Sequence, residues 1–437
     1  MYIAIDDTDS KSGMCTTFLA TELIKEFSEL SLLDFPRLVR LNPNVPWKTR
    51  GNGAVVLELG YGKNKKNVIG EIDGETALWD GESALDEDVF QRTIDVVSSW
   101  AETDREGTDP GVVVGNIRPD IGLYHKGVTD IVTLEEVTNI LDDLDLRYWG
   151  MGNRRGIIGA AAALAWVPLD CTYELISYRK RENWGTSRRI NRDEVIALDK
   201  ATKYTFDTFD YRENKQAIAP SSPCPVLYGV RGDEHEELKK SLGIIKSEEP
   251  ERYLIFLTNQ GTDDHIRDTN ICDIRSYLSV HIRCSVASSP ITIEGGHVLF
   301  EVTEDGSTIT AAAYEPTKSF RGIVRQLIIG DEIELWGGIR EEPLTVNVER
   351  LKVNNLVKKI TKIANPECDS CGKRMSSVGK DAGYRCKRCS TKGDEDDALT
   401  EVVERKILEG WYEVPVVARR HLTKPLKRMC RGKEGYC

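Results

Sequence analysis

The chain has 437 residues, with 59 Lys and Arg against 71 Asp and Glu and a net charge of −12. That length exceeds one ordinary domain of ~100–200 residues, so three or four units are expected, and the acidic balance excludes a surface that binds nucleic acid by bulk charge. The longest uncharged run of the middle region, Gly156 to Leu169, falls short of the ~20 apolar residues a membrane span needs, so it reads as a core helix and no membrane partner is expected.

The chain opens Met1-Tyr2-Ile3-Ala4-Ile5 and passes directly into acidic residues. That is unlike a secretory signal, and a cytoplasmic location is expected. Tyr2 to Ile5 reads as a strand, and the residues from about Thr17 read as an amphipathic helix with Phe18, Leu19, Leu23, Ile24, Phe27 and Leu30 on one face. Between them stand Asp6, Asp7 and Asp9, followed by Ser10, Gly13, Met14, Cys15, Thr16 and Thr17. Carboxylates grouped this way repel one another unless a cation joins them, and Mg²⁺ bound to phosphate oxygens is the usual remedy. The Gly13 turn delivers the two threonines to a helix start, where free N–H groups and the dipole favour phosphate. A nucleotide site is therefore predicted, with Gly13, Cys15 and Thr17 against it. Thr17 is also the expected helix cap. Asp7-x-Asp9 permits another reading, an aspartyl-phosphate phosphatase, although Lys11 stands where Thr or Val is wanted. No Gly-x-x-x-x-Gly-Lys-Ser/Thr occurs, which excludes an ordinary P-loop.

Ala54 to Leu59 continues as a strand, Asp88 to Trp100 as a helix and Val112 to Val114 as a short strand, an α/β or α+β alternation. Lys48, Arg50, His125 and Lys126 are loop cations suited to phosphate. A second glycine turn, Gly150-Met-Gly-Asn-Arg-Arg-Gly156, joins the alternating stretch Leu144 to Trp149 to an Ala-rich helix after Ile157. Gly150, Gly152, Gly156 and Gly159 approximate a dinucleotide fingerprint without its spacing. Arg154 and Arg155 inside the turn suit a triphosphate or RNA at least as well as a nicotinamide cofactor, and close helix packing is the structural alternative. Strands at Tyr173–Tyr178, Val226–Val230 and Tyr253–Leu257, with helices at Arg192–Thr202 and Glu234–Leu242, predict a small α+β domain of split β-α-β type.

Beyond Asn270 the pattern becomes five short strands: Val280–Val286, His297–Thr303, Thr308–Tyr314, Glu332–Gly337 and Thr345–Val353. A helix at Lys318–Leu327 between the third and fourth makes this the pattern of an OB-fold. Cys368-x-x-Cys371 and Cys386-x-x-Cys389 put two thiolate pairs on two tight turns. Such a set fits a closed Cys₄ zinc site with a structural role. The 11 cysteines are otherwise scattered, which is not a disulfide framework. Lys373, Arg374, Lys387 and Arg388 lie beside the zinc knuckles and suit phosphate contact. After the acidic run Asp394 to Asp397, the tail from Pro415 carries Arg419, Arg420 and Lys424 among its cations and predicts a local phosphate-binding surface. Cys430 and Cys437 at its end are a candidate second metal site or reactive thiol.

Several stretches taken together resemble the archaeal 2-agmatinylcytidine synthetases that modify an isoleucine tRNA: Ile5-Asp-Asp-Thr-Asp-Ser10, Gly13-Met-Cys-Thr-Thr17, Arg37-Leu-Val-Arg-Leu-Asn-Pro-Asn-Val-Pro46, the Gly150 turn, Pro223-Cys-Pro-Val-Leu-Tyr-Gly-Val-Arg-Gly232, Thr258-Asn-Gln-Gly261 and Arg419-Arg-His-Leu422. The resemblance spans the chain. It implies a multidomain α+β protein: a kinase-like α/β catalytic domain (1–145), a ferredoxin-like α+β domain (146–270), an OB-fold β-barrel (271–356), a zinc ribbon (357–397) and a basic tail (398–437). It implies an ATP-dependent ligase that activates carbon 2 of the wobble cytidine of CAU-anticodon tRNA-Ile by phosphorylation and joins agmatine there, with ATP going to AMP and phosphates. Asp6, Asp7 and Asp9 become metal and catalytic residues, Thr16 the phosphate acceptor, and Lys48, Arg50, Gly150, Gly152, Arg154 and Arg155 join the ATP site. Agmatine needs carboxylates for its guanidinium, and Glu174, Asp207 and Asp210 are the candidates. A phosphatase and a non-catalytic RNA-binding protein are the alternatives.

Overall fold

The computed structural model describes residues 1–84, 88–105, 107–379 and 382–431. Strand β1 (Tyr2–Asp6) obeys the two-residue period of a strand buried on both faces, with Ile3 and Ile5 in one apolar cluster and Ala4 in another. It pairs antiparallel with Gly53–Glu71 on one side and Gly111–Gly115 on the other, and Arg147–Gly150 closes that edge. In the other direction Gly53–Glu71 pairs with Arg37–Arg40, which lies parallel to Pro250–Thr258. Thr172–Arg179, Val226–Gly232 and Thr205–Phe206 follow. One sheet of 11 strands thus runs through the segments expected to form two units, 1–145 and 146–270.

Helix α1 (Thr16–Glu26) covers one face with Phe18, Leu19 and Leu23. The opposite face is covered by Gly156–Leu164, whose Ala160 to Ala163 share a cluster with Ala4 and Val113. Small residues allow that helix to lie unusually close to the sheet: a Cβ on Gly111 would fall 2.0 Å from the carbonyl carbon of Gly156. Helices Ile121–Thr129 and Leu134–Asp143 were not legible as elements. Their caps are ordinary, Asp120 accepting from Gly122 N at 2.8 Å and Thr133 from Glu136 N at 3.2 Å. The expected helix Glu234–Leu242 is two short ones, His235–Leu238 and Lys240–Ile244. Among the described residues no helix is long and apolar enough to cross a membrane.

The five strands beyond Asn270 close into a barrel. Ser279–Val286 pairs with Val298–Glu304 and Glu332–Arg340, Val298–Glu304 with Ser307–Ala313, and Glu332–Arg340 with Thr345–Asn355. A parallel pairing of Ser307–Ala313 with Thr345–Asn355 completes the circuit. The helix between the third and fourth strands is only Phe320–Val324, shorter than expected, and Phe320 and Val324 plug the barrel core. A stalk of Lys359–Ala364 paired with Leu399–Val403 carries the cysteine module.

The C-terminal segment returns to the body as a strap. Gly410–Glu413 adds to the barrel beside Thr345–Asn355. Gly261 N then donates to His421 O at 2.8 Å and Asp263 N to Leu422 O at 2.9 Å. The expected open basic surface is not what forms here, because body carboxylates take up the charges. Arg419 pairs with Asp207 and with Glu413 at 2.6 Å, Arg420 with Glu349 at 2.7 Å, and Lys424 with Asp170 at 2.8 Å. Arg428 pairs with Asp170 and with Asp233 at 2.6 Å. Cys437 lies outside the described residues, and Cys430 has an interaction of its own.

Arg419 is 3% exposed and Asp207 7%. Truncating one partner leaves a buried charge uncompensated, at a cost of about 3–5 kcal/mol. Arg419→Ala is therefore expected to lower the urea midpoint strongly, whereas Lys352→Ala, which removes a half-exposed partner of Glu334, changes it little.

Candidate functional site

β1 ends at Asp6, and the chain turns away through Asp7, whose φ of 54° is a left-handed conformation that few non-glycine residues adopt. Asp6, Asp7 and Asp9 line a cleft of about 610 Å³ together with Cys15, Thr16 and Thr17 at the start of α1. Burial drives the Asp6 carboxyl well above its usual range, with Asp7 and Asp9 adding to the shift. Burial, then the charge of Asp9, pushes Asp7 up to about 6. Asp7 accepts from Thr49 Oγ1 at 3.2 Å and from Asp109 N at 3.3 Å. Burial also raises Asp9, against the pull of Arg50, whose Nε donates to Asp9 Oδ2 at 2.7 Å. Carboxylates this crowded and this dry are short of positive charge, which is the condition that a bound divalent cation relieves.

The cap of α1 differs from expectation. Cys15 is the N-cap, with extended backbone and no side-chain cap bond, while Thr16 and Thr17 are the first two helical residues. Thr17 Oγ1 lies 3.1 Å from Cys15 Sγ, and Thr16 Oγ1 accepts from Thr8 Oγ1 at 3.1 Å. The first N–H groups of the helix therefore have no side-chain acceptor and open toward the cleft, as an anion site requires.

The glycine turn works differently from a phosphate cradle. It wraps Asp109, whose Oδ1 accepts from Asn153 N and whose carbonyl accepts from Gly156 N, both at 3.0 Å. Gly152 has a φ of 59°, and a Cβ there would meet Asp109 Oδ1 at 1.9 Å. Gly150, Gly152 and Arg154 are not among the residues lining the cleft; Arg155 and Gly159 are. Gly159 lets the helix pass over the acidic loop, since a Cβ on it would sit 1.7 Å from Asp6 Oδ2.

Of the loop cations, Lys48 and Arg50 line the cleft. Arg50 also donates to Gly13 O at 3.1 Å and Ser222 Oγ at 3.0 Å, so it fastens the acidic loop. Burial first, then Arg420, lowers Lys48 to about 8, and its Nζ donates to Pro43 O. Glu174 alone of the three agmatine candidates reaches the cleft. Its carboxylate accepts from Arg231 Nε at 3.2 Å and Gln260 Nε2 at 2.5 Å. Asp207 is held by Arg419, and Asp210 accepts from Arg212 N and Glu213 N at 3.0 Å and from Val417 N at 3.2 Å. Both serve the strap.

Arg40, Asp130, Arg231 and His421 complete the lining and were not singled out as site residues from sequence. They stand on separate strands, loops and the strap; Arg40, Arg231 and His421 fall inside the quoted motifs, which was their signal, whereas Asp130 had none. Burial, with the charges of Arg40, Arg231 and Lys48, holds His421 neutral well below the usual imidazole range.

Away from the cleft, the Sγ atoms of Cys368, Cys371, Cys386 and Cys389 lie within 4.8 Å of one another. Cys368 and Cys389 are 3.2 Å apart and Cys371 and Cys386 3.6 Å, spacings at which four thiolates can surround one tetrahedral zinc ion. The donor set fits the metal. Lys373, Arg374, Lys387 and Arg388 are exposed around it.

A dry acidic cleft at an open helix N-terminus, on one chain with a five-stranded barrel and a Cys₄ ribbon, defines an enzyme that handles nucleotide phosphates and acts on RNA. Three family models match in sequence: TiaS TCKD domain over residues 2–153, TiaS FLD domain over 154–265 and TiaS C-terminal zinc ribbon domain over 365–407. The chain belongs to the TiaS family. It is 40% identical to the 2-agmatinylcytidine synthetase TiaS of Methanocaldococcus jannaschii, an enzyme named for its isoleucine tRNA, with 98% of each chain covered. It is 38% identical to that of Archaeoglobus fulgidus, over 98% of this chain and 97% of the other. Among solved structures it resembles a complex of TiaS with its isoleucine tRNA and ATP, with a TM-score of 0.84 at 36% identity, covering 100% of this chain and 98% of that one. A complex of TiaS with the same tRNA, AMPCPP and agmatine gives 0.83 at 33% identity, with the same coverage. The phosphatase and RNA-binding alternatives are not favoured. The first two family models meet between 153 and 154, after the strand Arg147–Gly150, whereas the sequence reading divides the chain at 145.

Gly159→Ala is expected to push the Asp6 carboxylate out of place, abolishing activity while costing about 1–3 kcal/mol of stability, the scale of overpacking a close contact. Steady-state turnover beside a urea melt checks both. Cys386→Ser is expected to lose bound zinc, read by metal analysis, and to open the ribbon to protease while the sheet body keeps its melting temperature.

Proposed function

We propose that the chain is an ATP-dependent ligase that joins agmatine to carbon 2 of the wobble cytidine of CAU-anticodon tRNA-Ile, through a phosphorylated cytidine. The observation that carries this reading is that Asp6, Asp7, Asp9 and Thr16 share one cleft with Glu174 and a set of cations. One pocket thus offers groups for a polyphosphate, for a base and for a guanidinium.

Asp6, Asp7 and Asp9 would hold Mg²⁺, which when bound supplies charge neutralisation for the phosphates of ATP. The open N–H groups of α1 receive a phosphate oxygen, and Thr16, the first residue of that helix, is the phosphate acceptor. Thr17 faces Cys15 and has a different task. Glu174 orients the agmatine guanidinium through the lone pairs that remain on its two oxygens, each of which accepts one bond already, from Arg231 and from Gln260. The target cytosine leaves its stack to enter so enclosed a site. Residues 1–145 act as a kinase-like domain and 146–270 as a ferredoxin-like one, built on one sheet. The five-stranded barrel at 271–356 acts as an OB-fold, a reading that its strand order supports, and with the ribbon at 357–397 it grips another part of the tRNA through backbone and shape. Lys373, Lys387 and Arg388, exposed on the ribbon, suit that contact better than Arg419, Arg420 and Lys424 of the tail at 398–437, which are paired with body carboxylates; Arg374 is exposed but pairs with Glu367.

Incubation with ATP, Mg²⁺, labelled agmatine and a CAU-anticodon tRNA transcript is expected to label the tRNA. Absence of label would sink the reading. Thr16→Ala is expected to lower labelling roughly 100-fold or more, the scale of losing a group that acts in the transition state, whereas Thr17→Val retains most of it. Equal losses in both variants would remove Thr16 from its special role.

A further inference from the structure

We infer that Arg40 is a catalytic residue that clamps the phosphoryl group as it passes from ATP to the cytidine. The inference rests on the ligase reading and adds a residue to it.

Arg40 ends the strand Arg37–Arg40 and lines the cleft with Thr16 and the three aspartates. Its main chain is locked on both sides: Arg40 N donates to Asn259 Oδ1 at 2.7 Å, and Asn259 Nδ2 donates to Arg40 O at 2.8 Å. Asn259 is fixed in turn by the hydroxyl of Tyr124, which donates to Asp264 Oδ2 at 2.6 Å. The guanidinium lies over two glycines that make room for it. A Cβ on Gly51 would fall 2.4 Å from Arg40 Nη1, and one on Gly53 2.9 Å from it.

So much scaffolding surrounds a charge that has no partner. Nη1 reaches only Gly51 O, at 3.4 Å, and the buried Nε has no acceptor. Among the described residues, no carboxylate stands within ion-pair distance of Arg40. Other buried arginines are paired: Arg37 with Asp34 at 2.9 Å, Arg179 with Glu248 at 2.5 Å, Arg350 with Asp263 at 2.7 Å and Arg405 with Asp331 at 2.5 Å. Glu174, Asp9 and Asp6 act on Arg40 only through space: Arg231 and Arg50 hold the first two, and Asp6 makes no ion pair with Arg40. Burial accordingly lowers the guanidinium from its usual range. An immobilised guanidinium whose buried Nε has no partner is destabilising unless an anion arrives. In this cleft that anion is a phosphate, since Arg40 faces the aspartate loop and the open end of α1. Its planar fork can take two oxygens of a dianionic phosphoryl group.

In the step it serves, a lone pair on cytidine O2 forms the new O–P bond. The electrons of the breaking P–O bond leave with the oxygen that carried the phosphoryl group, that of the nucleotide or of phosphorylated Thr16, and no proton or oxidant is needed. Negative charge spreads over the equatorial oxygens in passing, and Arg40 stabilises it there.

The test uses the full chain with CAU-anticodon tRNA and ATP labelled at the β and γ phosphorus, without agmatine, measuring label on tRNA, tRNA affinity and thermal stability. Arg40→Gln is expected to cut transfer about 100-fold to 1000-fold, with unchanged tRNA affinity and a melting temperature at or above wild type, because an unpaired buried charge has been removed. Arg40→Lys is expected to recover part of the loss. Transfer by Arg40→Gln equal to wild type would overturn the inference. So would a lost activity that comes with a lowered melting temperature and no rescue by lysine. If wild type itself transfers no label, the ligase reading fails first and the inference with it.

Discussion

Mutual repulsion among Asp6, Asp7 and Asp9 is the constraint around which the catalytic half is built. Carboxylates packed at the end of a buried strand cost free energy on two counts, desolvation and like charge, and both push Asp6 and Asp7 toward protonation. The fold holds them there by other means. β1 is paired on both sides, Gly159 lets a helix lie directly over Asp6, and Arg50 binds Asp9 while tying down the loop through Gly13 O. The arrangement stores a demand for positive charge, which a bound cation would meet. Activity and stability therefore pull in opposite directions at this point in the chain.

The same logic applies with the sign reversed a short distance away. Arg40 is a cation without a carboxylate, and Lys48 is lowered to about 8 by burial and by Arg420. Acid and base thus face one cleft without forming an ion pair between Arg40 and the aspartates, although their charges act through space. On the proposed reading, a polyphosphate with its metal would satisfy both sets together. Its binding is then coupled to the relief of two separate electrostatic costs.

Much of this was legible from local pattern. The strand–loop–helix opening, the barrel strands and the two cysteine pairs depend on residues close in sequence, and the structure has them nearly where periodicity and spacing put them. What escaped depends on distant pairing. Nothing local states that Arg37–Arg40 lies beside Pro250–Thr258, and that register is what brings Asn259 onto Arg40. Charge was misread for the same reason. Arg419 and Arg420 look like a free basic tail until Asp207 and Glu349 are found opposite them. The glycine turn resembles a phosphate cradle until Asp109 is found inside it. Cys15, a poor N-cap by chemistry, occupies the position that Thr17 was expected to take, which leaves the helix end open.

A continuous sheet across the two catalytic segments has a mechanical consequence. The acidic loop follows β1 and Glu174 lies on Thr172–Arg179, and the strands between them are hydrogen-bonded without a break. A hinge between the acidic-loop side and the Glu174 side would have to tear that ladder. The two sides are thus held at a constant separation, as two successive steps on one base require. The strap adds to this rigidity. Arg350 on the barrel pairs with Asp263 and donates to Lys424 O at 2.9 Å, while the next turn of strap sets His421 into the cleft wall. Barrel, strap and cleft are therefore joined by buried contacts, which set the barrel's position relative to the cleft.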